Sequence, residues 1–261
     1  MEFETESIVG YPVCRGPVSS IVKQVTDRIQ NAERPCCYFS CLNPHAVEMA
    51  ARDAAFQSAL LDADFLTADG VGVVYVSRLT GGRIARRITG MDVFVSLTQA
   101  MNDAGDMSCY FLGSTEETLE KLRARMATDY PRVNISGTYS PPFKAEFDLR
   151  DTEMMIQRIN EAKADVLWVG LTAPKQEKWI HTNRHRLDVG FAGPIGAAFD
   201  FYAGNIKRAG PTLQRLGLEW LPRLVQEPRR LWKRTFISAP SFFIRSFRYR
   251  LSQSKFKDTP Q

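Results

Sequence analysis

Apolar positions recur along the chain in two rhythms. Val18, Ile21, Val22, Val25 and Ile29 share one helical face and predict a helix over 17–31. The β-type run 36–42 predicts a strand, and Asn43-Pro44 after it is a helix-start signal. A helix over 45–62 follows, with Val47, Met49, Ala50, Ala54 and Leu60 as its apolar positions. Residues 64–68 predict a short strand ending in Asp69-Gly70. The run 71–79 is apolar throughout, so its period does not separate helix from strand. A helix is expected over about 91–103.

From Ser108 the alternation becomes regular. Strands are expected over 109–112, 133–139, 165–169 and 187–193, and helices over 115–128, 148–162 and 174–184. Thr115 with Glu116 and Glu117 is a helix-opening signature. This order predicts βαβ units: an α/β, Rossmann-like, mostly parallel sheet flanked by helices. Past Ala203-Gly204 no strand pattern continues. Leu213, Leu216, Leu221, Leu224, Val225, Leu231 and Trp232 recur near helical spacing, and Pro222, Pro228 and Pro240 are expected to break the segment into short helices. The organisation expected is a catalytic domain over 1–204 and a helical appendage over 205–261.

Charge sharpens that division. The 261 residues carry a net +5, yet residues 201–261 hold 13 Lys and Arg against 3 Asp and Glu, a net +10, which leaves −5 on the first 200. The basic residues of the tail alternate with Trp220, Trp232, Phe236, Phe242, Phe243, Phe247, Tyr249 and Phe256. Such a segment suits either a helical subdomain packed on the sheet or a surface helix lying on anionic lipid. The acidic N-terminus lacks the apolar core of a signal peptide, and no apolar run reaches the ~18 residues of a spanning helix. A cytoplasmic protein, peripheral at most to a membrane, is expected. Five cysteines without a CxxC pair suggest neither disulfides nor a zinc site, and His181/His185 lack the glutamate of a zinc-protease helix. No metal is expected.

Ligands of parallel sheets bind beyond the carboxyl ends of the strands. Phe111-Leu-Gly113-Ser114, Gly137-Thr-Tyr139-Ser140 and Val169-Gly170-Leu-Thr172 place small and polar residues there, as a nucleotide requires, although ordinary turn chemistry gives the same pattern. The third glycine of G-x-G-x-x-G is missing after Gly70-Val-Gly72, which argues against a nicotinamide oxidoreductase. Asp69 is placed to act as a general base or as an Asx-turn residue. Arg87 suits a bidentate diphosphate contact or plain solvation. Gln176 and Glu177 open a helix facing whatever the preceding loop binds, and Asp200 is placed to hold a sugar hydroxyl or to cap a turn.

Taken in order, Asn43-Pro44, Thr67-Ala-Asp-Gly70, Arg87-Ile-Thr-Gly90, Phe111-Leu-Gly113, Gly170-Leu-Thr-Ala-Pro-Lys-Gln-Glu177, Gly193-Pro-Ile-Gly-Ala-Ala-Phe-Asp200 and Gly217-Leu-Glu-Trp-Leu-Pro-Arg223 resemble the WecG/TagA/CpsF glycosyltransferase family across roughly 8–235. The resemblance implies an inverting transfer from a UDP-sugar to a polyprenyl-diphosphate-linked sugar on the cytoplasmic membrane face, without metal or other cofactor. By motif, Asp69 is the implied base. Asn43 would contact sugar, Arg87 and Gln176 the sugar-diphosphate region, and Asp200 the nucleotide or sugar. Arg215, Arg223, Arg229 and Arg230 would close over the diphosphate. Cys41 stands where many relatives are expected to carry Thr, which puts donor preference in question. The implied partners are the two substrates and an anionic membrane, with no nucleic acid; a homo-oligomer is left open. The competing reading is a non-catalytic nucleotide-binding module whose basic aromatic tail takes nucleic acid or protein.

Overall fold

A computed structural model of the chain describes residues 3–33, 35–206, 210, 224, 232 and 234–257. An antiparallel hairpin, β1 (Thr5–Ile8) and β2 (Tyr11–Cys14), opens the chain and is not signalled by the apolar spacing. Val9 and Gly10 between the strands both have positive φ, 53° and 88°, as a two-residue primed hairpin turn requires. The helix α1 (Val18–Gln30) forms where its apolar face predicts, burying Ile21 and Val25.

Among the described residues six strands form one parallel sheet. They are β3 (Cys37–Leu42), β4 (Phe65–Ala68), β5 (Ser108–Gly113), β6 (Asn134–Tyr139), β7 (Val166–Gly170) and β8 (Phe191–Pro194). Their spatial order is β4-β3-β8-β7-β5-β6, with every pair parallel. The expected α/β class therefore holds. The last strand is shorter than expected: 187–190 is loop, and only Phe191–Pro194 pairs.

Alternation along each strand divides the core. Phe39, Phe111, Trp168 and Phe191 point to the face covered by α1, α5 (Gly90–Ala104), α6 (Glu116–Asp129) and α9 (Ala198–Tyr202). There Phe94 lies edge-on to Trp168 and Tyr202 with ring centroids 5.1 and 5.2 Å apart. Tyr38, Leu112, Leu167 and Val169 point to the other face, under α7 (Leu149–Ala162) and α8 (Lys175–Asn183). Leu42, Leu66 and Ala68 share a further cluster with Ile8, Val13, Phe56 and Val73.

The helix expected over 45–62 is two helices, α2 (Pro44–Ala50) and α3 (Ala54–Leu61). Asp53 breaks it, because its carboxylate accepts the Phe56 N–H at 3.0 Å and so starts a new helix. The ambiguous run is the helix α4 (Val71–Leu79). The C-terminal segment contains a π-helical turn, Arg234–Ser238, and a long helix, α10 (Ala239–Lys257). Pro240 lies just past the point where the π-helical turn changes to α10, and the helix continues beyond it to Lys257 rather than breaking there. Phe242 of α10 is fully buried in the cluster with Ile8 and Leu42. The tail residues Arg215, Arg223, Arg229 and Arg230, and the proline breaks at 222 and 228, lie outside the described residues.

Candidate active site

Helices following β3 and β7 run down one face of the sheet, while those following β5 and β8 run down the other. Neighbouring strands β3 and β8 thus send their chains in opposite directions, and the crevice between their carboxyl ends is where α/β sheets take ligands. Four successive strand ends border this crevice: Asp69 after β4, Asn43 after β3, Gly196 after β8 and Gln176 in the helix after β7.

Asp69 is half-buried, and its backbone N–H donates to Leu42 O at 2.8 Å. That bond extends the β3–β4 pairing by one residue and holds Asp69 beside Asn43. Gly70 follows with φ of 118° in open space, so the turn into α4 requires glycine for its backbone angle, not for room. Ile88 N–H donates to Ala68 O at 2.8 Å, which lays the half-buried Arg87 along the same strand end. Asn43 caps α2, its Oδ1 accepting from Ala46 N–H at 2.9 Å. Its side-chain NH2 is the part left for a ligand.

Cys41 lies between these loops, its Sγ 3.5 Å from Thr67 Oγ1. Burial pushes its thiol well up, and the charges of Asp69, Glu177 and Asp92 push it the same way. These three carboxyls, from the ends of β4, β7 and the start of α5, therefore converge on one thiol. Cys41 is kept neutral, a weak donor in place of the threonine hydroxyl expected of relatives.

Gln176 and Glu177 are buried in the first turn of α8, after a cis Ala173–Pro174 peptide. Gln176 Nε2 donates to Glu177 Oε1 at 2.8 Å. A Cβ on Gly196 would meet Gln176 Oε1 at 3.4 Å, so the β7 and β8 loops close on each other at this amide. Burial raises the Glu177 carboxyl to about 7, against the lowering effect of the Gln176 amide and its own backbone N–H. Glu177 was expected to touch substrate; the structure first gives its carboxylate to Gln176.

The outer strand ends are tied together internally. A Cβ on Gly113 would lie 2.6 Å from Gly170 O, and one on Gly170 would lie 2.3 Å from the Phe199 ring. These glycines are needed for strand-to-strand and strand-to-helix packing, beyond any approach to a nucleotide. Ser114, at φ 59°, donates its N–H to Gly170 O at 3.1 Å, and its carbonyl accepts from Ser140 Oγ at 2.7 Å. Thr172 is exposed and its carbonyl accepts the Gln176 N–H at 3.3 Å. Tyr139 carries Arg158 over its ring at 4.5 Å. Asp200 stands in the first turn of α9, 3.4 Å from Asn205 Nδ2, which also reaches Thr118 of α6. His181 pairs with Asp62 at 2.8 Å, not with His185.

The sequence reading brought tail arginines to the site but did not single out the helix that carries Phe243 as its border. A Cβ on Gly72 would meet Pro44 at 3.0 Å and Phe243 of α10 at 3.9 Å, so three elements meet next to Asp69 and Asn43. His45 Nδ1 lies 3.0 Å from Ser238 Oγ, and Arg245 Nε donates to Glu48 at 3.2 Å. The alternation of aromatic and basic residues in the tail was the available signal.

Residues 6–256 match the family model described as glycosyl transferase WecG/TagA/CpsF family. A Bacillus subtilis (strain 168) protein named N-acetylglucosaminyldiphosphoundecaprenol N-acetyl-beta-D-mannosaminyltransferase is 29% identical over 258 residues, 99% of this chain and 97% of its own length. A Bacillus spizizenii protein of the same name is 32% identical over 213 residues, 82% of this chain and 79% of its own. A Staphylococcus aureus (strain MW2) protein, again so named, is 26% identical over 227 residues, 87% and 85% respectively.

Proposed function

The chain belongs to the WecG/TagA/CpsF glycosyltransferase family, and we propose that it moves an N-acetylhexosamine from a UDP-sugar to a sugar carried on polyprenyl diphosphate. The relatives' names supply the acceptor class and favour N-acetylmannosamine as the sugar transferred. The observation that carries the reading is the placement of Asp69, fixed by its N–H to Leu42 and flanked by Asn43 and Arg87 at the crevice.

In this mechanism Asp69 takes the proton of the acceptor hydroxyl. The oxygen attacks the anomeric carbon as the bond to UDP breaks, which inverts the centre. Charge grows on the leaving diphosphate, and Arg87 is the cation of the described crevice suited to neutralise it. Gln176 and Asn43 bind the sugars. The acceptor is lipid-linked, and no helix among the described residues is long and apolar enough to cross a membrane. We therefore infer peripheral attachment to the inner leaflet. Support comes from α10, which exposes Phe243, Ile244 and Phe247 with Arg248, while Tyr75 and Leu79 of the neighbouring α4 are exposed as well.

Purified protein supplied with UDP-N-acetylmannosamine and a short-chain prenyl-diphosphate N-acetylglucosamine should release UDP. Asp69→Asn is expected to lower kcat by about 10²–10⁴-fold while UDP binding, followed by calorimetry, is retained. Near-normal turnover of that variant would remove Asp69 from the role of base. The non-catalytic alternative gives Asp69, Arg87 and Gln176 no shared purpose, and it predicts UDP binding with no release from any donor.

A further inference from the structure

Two buried oxygens beside the crevice have no partner among the described residues: Gln176 Oε1 and Glu177 Oε2. Their residues are only 5% and 6% exposed. An acceptor buried without a donor costs about 1–3 kcal/mol, so an unpartnered oxygen beside a ligand crevice calls for a functional account. The Gln176 amide has just one orientation compatible with an ionised neighbour. Its Nε2 faces Glu177 Oε1 at 2.8 Å, and turning it over would set a carbonyl oxygen against a carboxylate oxygen. Gly196 borders the other side, where a Cβ would stand in van der Waals contact with the amide, 3.4 Å from Oε1.

We propose that Glu177 is a positioning residue for transfer: by holding Gln176 Nε2 it aims Gln176 Oε1 to accept a hydrogen bond from a hydroxyl or acetamido N–H of the bound sugar. This rests on the sugar-transfer reading and deepens it at one atom. Ionisation of Glu177 is what makes the orientation unique. A protonated carboxyl can donate to Oε1 of the reversed amide as readily as it accepts from Nε2, and burial brings that protonation to about 7. Among the described residues the titratable group of another element that interacts with Glu177 is Cys41 of β3. In this reading the crevice carries one carboxyl that meets the acceptor, Asp69, and a second, Glu177, that sets an amide.

Two variants separate positioning from mere packing. Glu177→Met keeps the volume and removes the acceptor. Glu177→Gln keeps an acceptor for Nε2 and removes the titration. Glu177→Met is expected to keep or raise the melting temperature while kcat/KM falls by about tenfold or more, with UDP affinity unchanged. Glu177→Gln, whose amide donates as well as accepts and so mimics the protonated carboxyl, should hold kcat/KM near the wild type's low-pH level at every pH and flatten the acidic limb of the pH–rate profile near 7. Wild-type kcat/KM in Glu177→Met, or equal losses in both variants with lowered melting temperatures, would overturn the proposal. A readout independent of turnover is the side-chain ¹⁵NH₂ signal of Gln176, assigned by its absence in Gln176→Ala. It should titrate near pH 7 in the wild type and not in Glu177→Gln; a signal insensitive to pH overturns the proposal. If the wild type transfers no sugar yet this titration is seen, the transfer reading fails while the Glu177–Gln176 coupling stands.

Discussion

With its carboxyl raised by burial from 4.5 to about 7, Glu177 holds a proton in the folded protein where the unfolded chain has released it. Between these values the native state binds more protons, so stability falls as pH rises, and above 7 the full cost of about 3 kcal/mol is paid. Urea titrations at several pH values should show this decline in the wild type and its loss in Glu177→Gln; parallel curves would contradict the burial of this carboxyl. Gly113 makes a second case. Its φ of 115° and the 2.6 Å from a hypothetical Cβ to Gly170 O leave no room for a side chain. Gly113→Ala is expected to cost about 1–3 kcal/mol from the backbone conformation alone, measured as a shift in urea midpoint, whatever the site binds.

Between elements, α10 is the informative one. Phe242 is fully buried among Ile8, Leu42 and Val73, and Phe242→Ala is expected to cost about 3–5 kcal/mol in thermal or urea unfolding. Ile244→Asp and Phe247→Asp act on the exposed side instead. They should leave stability unchanged and weaken flotation with anionic liposomes; unaltered flotation would remove α10 from the membrane contact. The sequence pattern disclosed the central βαβ order because strands such as 109–112 and helices such as 115–128 carry long, clean periods. It did not disclose the hairpin, whose strands are four residues each and whose turn uses Val9 at φ 53° in place of Asn-Gly. It merged α2 with α3 because Asp53 interrupts an apolar period that otherwise continues. It drew β8 too long because Leu187 and Val189 alternate like strand residues although they pack under α7 and α8 as loop. Of the candidate site, Asp69 was legible as a strand-end carboxylate, Arg87 and Gln176 as polar groups beside loops, and Asn43 only through the family resemblance. The Glu177–Gln176 bond and the nearness of Phe243 were not, since neither follows from spacing along the chain.

Across the whole molecule, the first 200 residues carry a net negative charge and residues 201–261 a net positive one, and α10 of that basic segment is docked beside the crevice. Arg245 reaches Glu48, Arg250 reaches Leu79 O, and Tyr249 OH lies 3.3 Å from Ser7 Oγ. The two ends of the chain thereby close one cluster, although Ser7 and Tyr249 are 242 positions apart. At ribosomal speeds of roughly 5–20 residues per second, the hairpin and α4 wait on the order of tens of seconds for the side chain that seals them. A message cut short before Phe242 would release a sheet that is largely assembled but has an apolar trough where α10 belongs, and such a product is a target for chaperones and for self-association, not simply a shorter enzyme.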